Sequence, residues 1–274
     1  MTNSIRFKAV GLACGALLAC TTSQAQENAA PAQTLAWTLA GNATLVSQYL
    51  FRGITLTQGK PAIQAAMEAA HDSGFYAGIW GSGVSHAAYN NGSGTEIDLY
   101  GGWRKDLGDG YGLDVGVYSY WYPGAYYEFN GRRIKYDSGE ARISLSKGDL
   151  NVAAWAAVSK HFAGLAIDPA TGEEKSTRGT SYLEINWNPE IAPGWVLNLH
   201  AGRQNVRHLG DYSFTDVRAG VTYSLDSWQF AVAVSHNDAK AEKNGAPLWT
   251  FFDADGRGKH VAGTRWVASV NKSF

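Results

Sequence analysis

A period-two alternation of apolar and polar residues runs along most of this chain in segments of about ten residues, the length of a tilted strand that crosses a bilayer. Within Ala62 to Asp72, Ile63, Ala65, Met67 and Ala69 share one face and Gln64, Ala66, Glu68 and Ala70 the other. Within Gly112 to Tyr122, Leu113, Val115, Val117 and Trp121 oppose Asp114, Gly116, Tyr118 and Tyr120. In Thr215 to Leu225, Val217, Ala219, Val221, Tyr223 and Leu225 oppose Asp216, Arg218, Gly220, Thr222 and Ser224. Successive side chains of a strand point to opposite faces, so this pattern writes one apolar and one polar face. No stretch after residue 25 holds 18 apolar residues, and no sustained i, i+3, i+4, i+7 stripe appears, which excludes a spanning helix and a helical bundle. The 34 aromatic residues exclude intrinsic disorder, and a net charge of −1 excludes a basic nucleic-acid footprint.

Twelve such segments can be counted: 42–52, 62–71, 75–84, 95–104, 112–122, 139–147, 150–160, 180–188, 195–205, 214–225, 227–237 and 262–274. Their connections alternate between long and short along the chain. Long loops at one end and tight turns at the other describe an outer-membrane barrel. The expected fold class is therefore all-β: a transmembrane antiparallel β-barrel of about 12 strands, within a range of 10–14. A closed barrel pairs every backbone group and leaves no edge, as hydrocarbon demands. Only one face of each strand is apolar, so a mean hydropathy of −0.23 is compatible with a membrane protein of this kind. Trp103, Trp187, Trp195, Tyr223 and Trp228 fall near short turns and form a candidate interfacial girdle, while Trp80 and Trp121 are expected to face lipid or the upper rim.

Residues 1–25 read as a cleaved signal peptide: Arg6 and Lys8, an apolar run from Ala9 to Cys20, and Ser23-Gln24-Ala25 before the expected cut. Leu17-Leu18-Ala19-Cys20 is a competing lipobox, so lipidation of Cys20 stays an alternative. Residues 26–41 then form a short periplasmic segment and 42–274 the barrel. Both cysteines, Cys14 and Cys20, fall in the leader, so the mature chain has no disulfide. The chain closes on Phe274, which resembles the assembly signal of bacterial outer-membrane barrels. Localisation in the outer membrane follows, with outer-membrane lipid, lipopolysaccharide and the barrel-assembly machinery as expected partners; oligomeric state is left open.

Specific residues carry a family resemblance. Val46-Ser47-Gln48-Tyr49-Leu50-Phe51-Arg52-Gly53, then Gly59-Lys60-Pro61-Ala62, resembles the opening of the TorF-type porins. So do Gly74-Phe75-Tyr76-Ala77-Gly78-Ile79-Trp80-Gly81-Ser82, Glu96-Ile97-Asp98-Leu99-Tyr100 and Tyr120-Trp121-Tyr122-Pro123-Gly124. The resemblance is sharp over 42–124 and loose beyond. Gln48 stands where an Asp is expected. The resemblance implies a barrel that passes small solutes, without naming one.

The inward faces are expected to carry Glu68, Glu96, Asp98, Asp114, Glu140, Glu184 and Asp216 against Arg104, Arg142 and Arg218. Seven acids against three bases suggest a hydrated lumen with mild cation preference; the alternative is that these charges pair and fill the barrel. Loop candidates are Arg52, at the mouth or paired with a carboxylate, and Tyr126, Arg132, Arg133 and Lys135 of 123–138, on a solute or on outer-leaflet phosphates. Asp253-Ala254-Asp255-Gly256 matches only part of a calcium loop, the seven His make no metal motif, and no phosphate-cradling Gly motif appears, so neither metal nor cofactor is expected. Ser235 and His236 are adjacent and point to opposite faces of a strand, which weakens a lipid-hydrolase reading. The reading is a non-enzymatic channel for passive diffusion of small hydrophilic solutes. The alternatives are a filled barrel acting as a surface binding or structural protein, and a lipid-modifying enzyme.

Overall fold

The computed structural model describes residues 37–253 and 255–274; the signal peptide, Cys20 and the start of the periplasmic segment lie outside the described residues. Twelve long strands form one antiparallel ring: β1 (Trp37–Val46), β2 (Ala62–His71), β3 (Phe75–Gly83), β4 (Thr95–Gly108), β5 (Tyr111–Trp121), β6 (Ser138–Lys147), β7 (Leu150–Ala157), β8 (Ser181–Trp187), β9 (Trp195–Asn205), β10 (Phe214–Leu225), β11 (Trp228–Asn237) and β12 (Gly263–Ser273). Each pairs with its sequence neighbours, and β12 pairs with β1 to close the ring. The seam is tight at the chain end: Gly41 and Phe274 exchange backbone hydrogen bonds of 3.0 Å. The Phe274 ring lies over Gly41 so closely that a Cβ there would sit 2.6 Å from it.

The strand register is the one the alternation writes. On β2, Ile63 and Met67 are exposed while Gln64 is buried; on β5, Val115, Val117 and Trp121 are exposed while Tyr118 and Tyr120 are buried. Leu45, Leu99, Leu183 and Trp266 extend this apolar belt around the outside. So much exposed apolar surface is untenable in water and is what lipid requires. Val117→Arg, at the middle of the belt, should therefore cost about 2–4 kcal/mol in lipid vesicles; an unchanged urea midpoint would remove Val117 from the hydrocarbon level.

Tight turns gather at one end and the long connections 47–61, 84–94, 122–137, 158–180 and 238–262 at the other. Trp187, Trp195 and Trp228 are exposed at the short-turn end, and Trp121 and Trp266 near the other, as two interfacial girdles demand. Two expectations are corrected. The first strand runs Trp37–Val46, not 42–52, because Tyr49 to Gln58 leave the wall altogether. Trp80 faces neither lipid nor rim: it is buried in the lumen with its ring 5.3 Å from that of Tyr49.

Candidate functional site

The lumen holds the chemistry. Period two places Glu68, Glu96, Asp98, Arg104, Asp114, Glu140, Arg142, Glu184, Asp216 and Arg218 on the inner face of β2, β4, β5, β6, β8 and β10, where charge needs either water or a partner. Toward the short-turn end, Arg104 forks onto Glu68 at 2.6 and 3.0 Å, and Asp114 takes Arg142 at 2.9 Å and the Tyr76 hydroxyl at 2.7 Å. On the opposite wall, His200 bridges Asp216 (2.9 Å) and Asn186 (2.7 Å), and Tyr182 donates to Asp216 at 2.9 Å.

Above these clusters the first long connection folds inward. Its short hairpin, Leu50–Phe51 against Ile54–Thr55, carries Tyr49, Ile54, Thr55 and Leu56 into full burial. Arg52, with φ +48, and Gly53, with φ +76, form the tip. Gly53 passes so near β11 that a Cβ would lie 2.9 Å from the Cβ of Asn237, so only glycine fits. From that tip the Arg52 guanidinium reaches Glu140 on β6 as a fork of 3.1 and 2.7 Å and Gln204 on β9 at 2.7 Å. It stacks 4.1 Å from the Tyr182 ring of β8, and Asn237 donates to the Arg52 carbonyl at 2.7 Å. The hairpin leaves β1 and is fastened to β6, β8 and β9, strands that flank the diametrically opposite β7. It is a cross-bar over the whole lumen. Of the two readings of Arg52, the carboxylate partner is the one realised, and it also sits at the mouth.

Pairing changes the charge count. Glu68, Asp114 and Glu140 are neutralised by Arg104, Arg142 and Arg52, the last a base that a strand-only count omits. Glu96 and Asp98, buried beneath the cross-bar, have no basic partner among the described residues; Glu96 accepts from the Tyr49 hydroxyl at 3.2 Å. Arg218 has no carboxylate partner among them either.

Above the cross-bar the long loops enclose a vestibule of about 420 Å3. Phe51, Tyr89, Tyr122, Tyr127, Phe162 and Trp249 are among the residues lining it. The 123–138 loop contributes through a hairpin, Tyr126–Phe129 against Arg132–Lys135. Its expected residues point elsewhere: the side chains of Arg132, Arg133 and Lys135 are about 70% exposed or more, and Arg133 stacks on Tyr126 at 4.6 Å. Tyr127, Phe129 and Tyr136 face the vestibule instead. Their alternation with Glu128 and Lys135 was the available signal.

Arg132 of this hairpin bonds Glu174 of the 158–180 loop at 2.7 Å, and Lys160 bonds the same carboxylate. The Lys160 hydrogen bond foremost, then that of Arg132, holds the Glu174 carboxyl down at about 2. A depressed acid stabilises the folded loops above its ordinary value of 4.5, and that contribution is lost as pH falls toward about 2. Hydrogen exchange should therefore show loop 158–180 equally protected at pH 7 and 5 and less protected below pH 4; Glu174→Gln should loosen it at pH 7. Equal protection in the variant would discard the clasp.

A model of the family described as "Bacterial protein of unknown function (Gcw_chp)" matches residues 28–274. No curated protein matches the chain. Among solved structures, the NanC porin in its rhombohedral crystal form aligns with a TM-score of 0.52 at 8% identity, covering 86% of this chain and 99% of that one. The KdgM porin aligns at 0.47 and 10% identity over 86% and 99%. The COG4313 outer membrane channel from Pseudomonas putida F1 aligns at 0.45 and 10% identity over 91% and 100%. The likeness to the NanC porin is one of barrel fold.

Proposed function

For a chain that belongs to the Gcw_chp family of bacterial proteins of unknown function, we propose a porin-like channel of the outer membrane, narrowed by its own first loop and passing small hydrophilic solutes. The observation that carries this reading is the wall beside the cross-bar. Thr44, Gln64, Thr222, Gln229, Ser269 and Asn271, with Val46, Leu50, Ala231 and Val267, line a narrow space of about 20 Å3 that the aromatic and ionic clusters leave unfilled. A barrel packed only for stability gains nothing from unfilled space there, since voids forfeit dispersion contacts. The resemblance of 42–124 to TorF-type porins and the reading of residues 1–25 as a leader favour the same location and role. The ions that pass see the charges left unpaired, not the seven-to-three count, because three of the seven acids are held by arginines.

A second reading is favoured by the cross-bar itself: a filled barrel that binds something in the aromatic vestibule at its surface. Efflux separates the two. Vesicles carrying folded protein should release a small sugar within minutes and retain a dextran; retention of both, with the barrel verified as folded, would favour the filled barrel.

A further inference from the structure

Five arginines on the described strands and first loop point into this barrel, and three of them meet a carboxylate at 2.6–2.9 Å. Arg265, near the long-loop end of β12, donates to the carbonyls of His260 and Ala262 instead; Arg218, midway along β10, has neither kind of acceptor. No ion pair, hydrogen bond or ring contact engages its guanidinium among the described residues, and its Nε is buried without a partner. The nearest acid on its own face, Asp216, is committed to His200 and Tyr182 at 2.9 Å each. Its cross-strand neighbours are His200 on β9 and Ser235 on β11. Around the space that Arg218 enters the remaining lining is uncharged, part polar and part apolar; Thr44 and Thr222 there already donate to Asn271 and Asn198, and no carboxylate of the lining competes with an anion for the guanidinium.

A guanidinium cannot shed its proton, so removal from bulk water costs several kcal/mol unless a counter-charge is supplied. Arg52, Arg104 and Arg142 each have a carboxylate and Arg265 donates to two backbone carbonyls, whereas the protein supplies no acceptor for Arg218 among the described residues. We propose that the Arg218 guanidinium, in a lining that holds no acid, forms a binding site for a small anion, which makes the passage beside the cross-bar anion-preferring. A carboxylate suits the site best, because its two oxygens match the guanidinium fork. Glu96 and Asp98, which favour cations, are buried on β4, a strand that contributes no residue to the lining of this space. The anion preference rests on the channel reading; the site itself does not.

Two measurements keep those apart. In planar bilayers under a KCl gradient, the reversal potential of the wild type should show chloride more permeant than potassium. Arg218→Gln should lower that permeability ratio about threefold or more, and Arg218→Lys should keep it. A ratio unchanged in Arg218→Gln would overturn the proposed selectivity. Crystals soaked in bromide test the site whether or not the protein conducts: anomalous density is expected beside the guanidinium in the wild type and none in Arg218→Gln, and its absence from the wild type would overturn the site. Folding of the variant is a third discriminator. Removing an unpaired buried charge leaves stability unchanged or raised in low salt, whereas a structural arginine would leave a weaker barrel.

Discussion

Arg52→Ala should weaken the barrel and widen its passage at once. The substitution strands Glu140, whose side chain is fully buried, without its cation, and breaking one half of a buried pair costs about 3–5 kcal/mol. The hairpin also loses its bond to Gln204 and its stacking on Tyr182, so the tip is no longer fastened to the far wall. Unfolding in urea should show the lost stability, and single-channel conductance should rise several-fold. The double variant Arg52→Ala/Glu140→Gln separates the two effects. Neutralising the stranded acid should recover most of the stability while the passage stays wide, a coupling that a double-mutant cycle reads directly. Equal stability of wild type and Arg52→Ala would show that the fork between Arg52 and Glu140 does not form in the membrane.

Asp114→Ala should be comparably damaging through a different cluster. Asp114 is the acceptor for Arg142, whose side chain is 3% exposed, and for the Tyr76 hydroxyl, while Arg104 lies 3.6 Å away. Arg104 keeps its fork on Glu68, but among the described residues Arg142 is left with only the Trp155 ring, 5.2 Å away. The expected cost is again about 3–5 kcal/mol, with hydrophobic truncation of both partners far milder. Because the cluster lies below the cross-bar, the conductance of Asp114→Ala should change much less than that of Arg52→Ala. A loss below about 0.5 kcal/mol would mean that water already solvates Arg142.

The wall of this barrel was legible because its cause is local. Lipid on one side and a polar interior on the other force a two-residue period, so twelve segments and the faces of Ile63, Val117, Asp114 and Asp216 can be read from the chain alone. Long and short connections give the polarity of the ends by counting residues. The interior was less legible, because its contacts are distant in sequence. Arg52 meets Glu140 and Gln204 across 88 and 152 residues, and nothing between 47 and 61 announces that the segment turns inward except the pair Arg52-Gly53. Leu50 and Phe51 continue the apolar character of β1, so the alternation carries the expected strand six residues too far toward the C-terminus. The mouth was misjudged for another reason: Arg132, Arg133 and Lys135 carry the conspicuous charge, whereas Tyr127, Phe129 and Tyr136 carry the position. Charge counts failed in the same manner, since an acid's contribution to a lumen depends on whether a base already holds it.

Single-channel recording on the wild type beside a variant in which 48–58 is replaced by a short Gly-Ser turn tests the central claim most directly. With the β1–β12 seam and the wall untouched, the account predicts small discrete steps from the wild type and larger, longer-lived ones from the variant. Flat traces from both, with the barrels shown to be folded, would contradict it.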